Sequence, residues 1–162
     1  MDIEQLYLSY IKDIYRYLYS LCKNTVVAED LMQDTFYKAH ITLLSHTVQD
    51  IKPWLFKVAY YTYIDYIRKE HRVDLTNNLE RSTFMTPETI AVTEESFHTL
   101  ITLLDQLSPY EKQAIMLCDV HDCTYEQAAN VLDIKLNTLK SHLLRGRKKM
   151  RALIEKERQQ YG

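Results

Sequence analysis

Glycine and proline are nearly missing from this sequence, with 2 and 3 copies among 162 residues. Sandwiches, barrels and glycine-rich phosphate loops depend on many tight turns, so this scarcity excludes them and leaves a mostly helical chain. No apolar run reaches the roughly 18 residues that a membrane-spanning helix needs. The opening stretch MDIEQLYLSYIKD places acids early and lacks a basic segment followed by an apolar one, so no secretory signal is expected. The 3 cysteines are odd in number and follow no disulfide framework, which fits a reduced, cytoplasmic compartment. No nucleophile, base and orienting group recur in a recognisable pattern, so neither catalysis nor a cofactor is expected. A chain of this length makes one compact domain or two small ones.

A large net charge is also missing, since the formal total is -2. The charges are nevertheless sorted along the chain. Residues 1–73 carry 9 acids and 9 bases, residues 74–134 carry 11 acids and 2 bases, and residues 135–162 carry 2 acids and 9 bases. A basic end of this kind suits an anionic partner, although a solvated helix would look the same on charge alone.

Helical periodicity fills the two ends. Tyr7, Ile11, Ile14, Leu18 and Leu21 form one stripe, and Ala28, Leu31, Met32, Thr35, Phe36, Ala39 and Leu43 form a second. Residues 45–52 lose the period. Pro53 then opens a third helix through Trp54, Leu55, Val58, Ala59 and Ile67 to about Arg68 or Lys69. The pattern collapses between Val73 and Thr93, which reads as a flexible linker, and resumes at Phe97, Leu100, Ile101, Leu104 and Leu107. The fold expected is all-α: two helical domains, 1–73 and 95–162, joined across residues 74–94.

Two helix starts are sharply written. Ser108-Pro109-Tyr110-Glu111 and Thr124-Tyr125-Glu126-Gln127 both have the form of a capping box, the first with proline at the first helical position. After the second box come a short helix over Tyr125–Leu132, a tight Asp133–Leu136 turn, and a final helix with Asn137 as its expected N-cap. Its core face would be Leu139, Leu143, Gly146, Met150 and Leu153. These are helix-turn-helix dimensions, with the second helix presenting Thr138, Lys140, Ser141, His142 and Arg145, then Arg147, Lys148 and Lys149. Early polar residues on such a helix reach base edges and later cations meet phosphates. An ordinary helical hairpin with a solvated basic face is the competing reading.

The segment 54–66 holds Trp54, Phe56, Tyr60, Tyr61, Tyr63 and Tyr66, flanked by Lys52, Lys57, Arg68 and Lys69. Six aromatics exceed what one buried face needs. Exposed rings among cations suit stacking on single-stranded nucleic acid, and the alternative is core or a protein interface. In Ala28–Phe36, four polar residues interrupt an apolar helix, either as a docking surface or as a solvated face. Cys118, His121 and Cys123 lie close together, but their spacing fits no standard zinc site and no fourth ligand is evident, so no metal is expected.

Taken in order, AEDLMQDTF, KPWLFKVAYYTYIDYIRK and the stretch from LSPYEKQ to MRALIE resemble three motifs of the extracytoplasmic-function sigma factors, the small bacterial initiation factors built of two helical domains. The resemblance implies a transcription initiation factor of stress responses that binds core RNA polymerase and promoter DNA, with an anti-sigma factor, membrane-anchored or not, as a further partner. It implies polymerase contacts at Glu29, Asp30, Leu31, Gln33, Asp34 and Phe36. The −10 contacts it implies are Lys52, Trp54, Lys57, Tyr60, Tyr61, Asp65 and Arg68, with the Leu43–Lys52 loop and the start of the next helix holding flipped-out bases. The −35 contacts it implies are Asn137, Thr138, Lys140, Ser141, His142 and Arg145, with Arg147 and Lys148 near phosphates. The family's linker threads towards the polymerase active centre. Two departures stand out: Tyr60-Tyr61 replaces an Arg-Asn pair common in the family, and Asp133 replaces a glycine in the helix-turn-helix turn, where aspartate tolerates the left-handed conformation. A stand-alone helix-turn-helix regulator and a helical protein-interaction module without nucleic-acid binding are the alternatives.

Overall fold

The computed structural model describes the backbone of residues 2–73 and 95–161, and all of its regular elements are helical. The linker expected over 74–94 lies outside the described residues. The helices gather into two compact units that divide near residue 93.

The first unit holds α1 (Ile3–Cys22), α2 (Thr25–Ser45) and α3 (Ile51–Val73). Asp2 caps α1 by accepting from the Gln5 amide at 2.9 Å. The helix stops at Lys23, whose backbone is left-handed at φ 55° and donates to the Tyr19 carbonyl. Asn24 at once caps α2, accepting from the Val26 and Val27 amides. Stop and start thus occupy two residues, and so short a connection folds α1 and α2 into an antiparallel pair. Both expected stripes are in the core apart from half-buried Tyr7 and Leu43. Tyr15 and Tyr17 are also fully buried, because α1 packs on both α2 and α3 and so needs more than one apolar face. The third helix begins two residues before Pro53 and continues to Val73, past the expected stop at Arg68 or Lys69.

The second unit begins with α4 (Glu95–Leu104). It continues with α5 (Pro109–Ile115), which runs straight on into a π-helical turn over Met116–Val120. Then come α6 (Tyr125–Leu132) and α7 (Leu136–Tyr161). Both capping boxes are present with both of their hydrogen bonds. Asp133 closes α6 at φ 54° and ψ 48°, the left-handed conformation expected of it, and its amide donates back to the α6 carbonyls. Asn137 is not the cap of α7. The helix has already begun at Leu136, and the Leu139 amide bonds the Lys135 carbonyl at 3.0 Å. The helix starts two residues earlier than read, which leaves the Asn137 side chain exposed on the helix surface. Leu139, Leu143, Gly146 and Met150 are buried and Leu153 is half-buried.

Candidate nucleic-acid and partner interfaces

On α2, Leu31, Thr35, Phe36 and Ala39 turn inward, and Phe36 meets the Tyr7 ring edge-on at 5.0 Å. The opposite side bears Asp30, Gln33 and Asp34, then Tyr37, Ile41 and Leu44, the last three 67%, 49% and 71% exposed. Their spacing of three and four residues makes one strip, acidic at its start and apolar at its end. Of the polymerase contacts expected, Asp30, Gln33 and Asp34 are on this strip. Glu29, Leu31 and Phe36 are not: all three are buried in the unit, where they shape the helix from behind. The exposed apolar half was missed, although its i, i+4, i+7 spacing is written in the sequence.

Glu29 sits in an unusual place for a carboxylate. It is 4% exposed and its Oε1 has no hydrogen-bond partner among the described residues, as is true of the nearby Tyr15 hydroxyl. Burial, with Asp30 adding to it, pushes the Glu29 carboxyl above the ordinary carboxylate range. Burial likewise pushes Tyr15 to about 12.

Along α3, Trp54, Lys57, Tyr61, Asp65 and Arg68 recur at steps of three and four and therefore share a face. Tyr61 and Asp65 are exposed, as is Arg68, while Trp54 and Lys57 are half-buried. Lys52 and Tyr60 fall off this face. Tyr60 is buried and packs beside Tyr61 at 5.8 Å between centroids, so it supports its neighbour and presents no stacking surface of its own. Phe56 is core and meets Tyr17 edge-on at 5.3 Å. Tyr63 and Tyr66 line a cleft of about 390 Å³ against Leu21, Cys22 and Val27 at the α1–α2 corner. The six aromatics are therefore divided among core, cleft and surface. Asp65 pairs at 3.9 Å with both Lys38 and Arg68, and Lys38 also donates to Thr62 at 3.2 Å, which ties α2 to α3 beside this face.

The second unit offers α7. Ala128 and Ala129 of α6 are buried and small, which lets α6 cross close to it. Gly146 meets α5 closely: a Cβ there would lie 3.0 Å from Ile115 Cδ1 and 3.2 Å from the Glu111 carbonyl oxygen. With these contacts holding the inner side, Asn137, Thr138, Lys140, Ser141, Arg145 and Lys148 are exposed and His142 is half-buried. His142 lies 5.4 Å from the Tyr110 ring, and its Nδ1 is 3.2 Å from an Arg145 guanidinium nitrogen.

Three cations of α7 hold carboxylates carried by α5 and its π-helical turn. Glu111, 3% exposed, accepts from Lys149 at 2.8 and 3.1 Å, lies 3.6 Å from Arg145 Nε, and accepts the Ser108 amide of its own capping box. The Lys149 hydrogen bond foremost, against the cost of burial and helped by Ser108, holds this carboxyl down at about 2. Arg147 grips Asp119 with two parallel hydrogen bonds, at 3.0 and 2.6 Å, and its proton affinity is raised by that grip. Arg147, expected near phosphates, has its fork turned onto Asp119, with Tyr125 beside it. Cys118, His121 and Cys123 are buried, and no group of metal-holding side chains is found among the described residues.

Residues 6–73 match the family described as Sigma-70 region 2, and residues 97–150 match that described as Sigma-70, region 4. The chain is 33% identical over 158 residues to the ECF RNA polymerase sigma factor SigM of Bacillus subtilis (strain 168), covering 96% of this chain and 97% of that one. It is 28% identical over 165 residues to the RNA polymerase sigma factor YlaC of the same organism, covering 98% and 95%. Among solved structures, it is similar to the sigma factor RpoE of Bartonella quintana in complex with the anti-sigma factor NepR. The TM-score there is 0.75 with 25% identity, over 94% of this chain and 96% of that one. CnrH, solved with the cytosolic domain of CnrY, shares the fold at TM-score 0.69 and 19% identity, over 94% and 87%.

Proposed function

Since this chain belongs to the extracytoplasmic-function (ECF) RNA polymerase sigma factors, we propose that its three exposed helix faces divide the work of initiation among them. As a member it is a transcription initiation factor that binds core RNA polymerase and directs it to promoters. Members of this family are not enzymes, and phosphodiester chemistry belongs to the polymerase. The α2 strip from Asp30 to Leu44 is the polymerase anchor in this reading, with Asp30 and Asp34 as its charged end. The α3 face with Trp54, Lys57, Tyr61 and Arg68 meets the −10 element, where Tyr61 stacks on an unpaired base. The α7 face with Asn137, Thr138, Lys140, Ser141 and Arg145 enters the −35 major groove, and Lys148 neutralises phosphate. Domain 1–73 thus serves polymerase and −10 recognition, domain 95–162 serves −35 recognition, and 74–94 links them.

The observation that carries this reading is the α6–turn–α7 unit, with polar and cationic side chains exposed at the start of its second helix. The match to a sigma factor crystallised with an anti-sigma factor supports a similar partner here. Among the described residues no helix is long and apolar enough to cross a membrane, which supports action beside cytoplasmic polymerase. Promoter binding with and without core enzyme tests the reading. Specific retention of a −35/−10 duplex should require both proteins. Nanomolar specific binding by the chain alone would favour a stand-alone regulator.

A further inference from the structure

By helical spacing, Lys140, Leu144, Arg147 and Arg151 follow one another along a single flank of α7, at steps of four, three and four. Lys140, Leu144 and Arg151 are exposed. The cationic flank is interrupted at Arg147, because Asp119, carried by the π-helical turn after α5, sets its carboxylate against that guanidinium. A carboxylate presents to a guanidinium the same planar pair of acceptor oxygens that a phosphate does. Both partners keep about a third of their side-chain surface open, so the pair lies at the surface, within reach of a polyanion following that flank.

We propose that Asp119 is a specificity-determining residue: it occupies Arg147 as an intramolecular stand-in for phosphate and so holds down sequence-independent DNA binding by α7. This rests on the reading of α7 as the −35 helix. A phosphate approaching the flank has to displace Asp119 before it gains Arg147, and it meets a negative charge in the middle of the stripe. Base-reading residues at Asn137, Thr138, Ser141 and Arg145 are on another part of the helix and are untouched by the exchange. The ratio of specific to non-specific affinity is therefore higher with the pair in place than it would be with a bare cation.

The test titrates the full-length chain, wild type and variant, onto a short random-sequence duplex over a range of salt. Asp119→Asn should bind more tightly, with log K against log salt steeper by about 0.9 for one added phosphate contact. Its advantage should then shrink by about 3.5-fold between about 50 and about 200 mM salt. Arg147→Ala alone should leave the salt slope nearly unchanged, because no phosphate contact is lost, and Asp119→Asn in that background should relieve the uncovered charge without steepening the slope. In holoenzyme, Asp119→Asn should bring the affinities for consensus and scrambled −35 sequences closer together. A role confined to pinning the π-helical turn predicts the opposite sign, weaker binding by Asp119→Asn, and that result would overturn the proposal. A slope shallower by about 0.9 on Arg147→Ala would overturn it as well, because Arg147 would then already hold a phosphate, and that variant decides the matter even if Asp119→Asn fails to fold. Lys148→Ala is the control for the underlying reading. If it too leaves binding and salt slope unchanged, α7 is not the DNA helix; if it weakens both while the other variants disobey, the fault lies with Asp119 alone.

Discussion

Gly146→Ala opposes two effects of known size. A glycine inside a helix is about 0.8–1.0 kcal/mol less favourable than alanine, so on propensity the substitution should stabilise. Against that, the new methyl would sit 3.0 Å from Ile115 Cδ1 and 3.2 Å from the Glu111 carbonyl. The isoleucine tip can rotate away at small cost. The carbonyl belongs to α5 backbone that is held to α7 on either side of Gly146, because Glu111 takes both Arg145 and Lys149. That backbone has little freedom to retreat, and overpacking of this kind costs typically about 1–3 kcal/mol. The balance is a net loss of roughly 1 kcal/mol. In a unit of this size such a loss lowers the melting temperature by roughly 4–8 °C. Gly146→Val adds two more carbons to the same contact and a poorer helix former, and should lose clearly more. Urea and thermal unfolding followed by circular dichroism measure both. Because α5 and α6 hold α7 in place, use of the −35 element should fall with stability. An alanine variant as stable as wild type, or more stable, would refute the argument that the Glu111 pairs fix the helix separation.

Asp30→Lys with Asp34→Lys should weaken core polymerase binding at unchanged helicity, and serine at Tyr37, Ile41 and Leu44 should do the same without any change of charge; a pull-down or titration reads both. Tyr61→Ala should cost the open complex roughly 1–3 kcal/mol in permanganate footprinting, whereas Tyr60→Ala should act on stability, since its ring is buried. Acid should treat the two units differently. The Glu111 carboxyl lies at about 2 folded against an ordinary 4.5, so its contribution is complete above about pH 4.5 and is lost as pH falls towards 2. The Glu29 carboxyl is raised, so its penalty is absent below the ordinary value and grows as pH rises through the folded one. The one tryptophan, Trp54, reports on the first unit by fluorescence. Glu111→Gln should remove the acid loss of the second unit, and Glu29→Gln should flatten the acid gain of the first.

Local features were legible in the sequence because local chemistry decides them. Each capping box is closed by residues three apart, and the left-handed turn at Asp133 follows from the backbone tolerance of one side chain. Apolar stripes gave the inner faces of α2 and α7 for the same reason. What could not be read depends on contacts distant in sequence. Glu29 looks like a solvated acid on its own helix and is buried because α2 is flanked on both sides, by α1 and α3. Tyr15 and Tyr17 are core because α1 also packs against both of its neighbours. Arg147 reads as a phosphate ligand until Asp119, 28 residues earlier, is seen to hold it, and Lys149 until Glu111, 38 residues earlier, is placed beside it. The π-helical turn at Met116–Val120 carries no residue that announces it, and it is what sets Asp119 facing α7.

Run-off transcription with purified core polymerase is the most direct measurement of the central claim. On a template with a −35/−10 promoter from the organism's own stress genes, core enzyme alone should give no specific start. Core enzyme with this chain should give transcripts of one defined length, and these should be lost with Asp30→Lys and Asp34→Lys. A chain that binds the promoter but yields no defined transcript with core enzyme, across a panel of such promoters, would contradict the account.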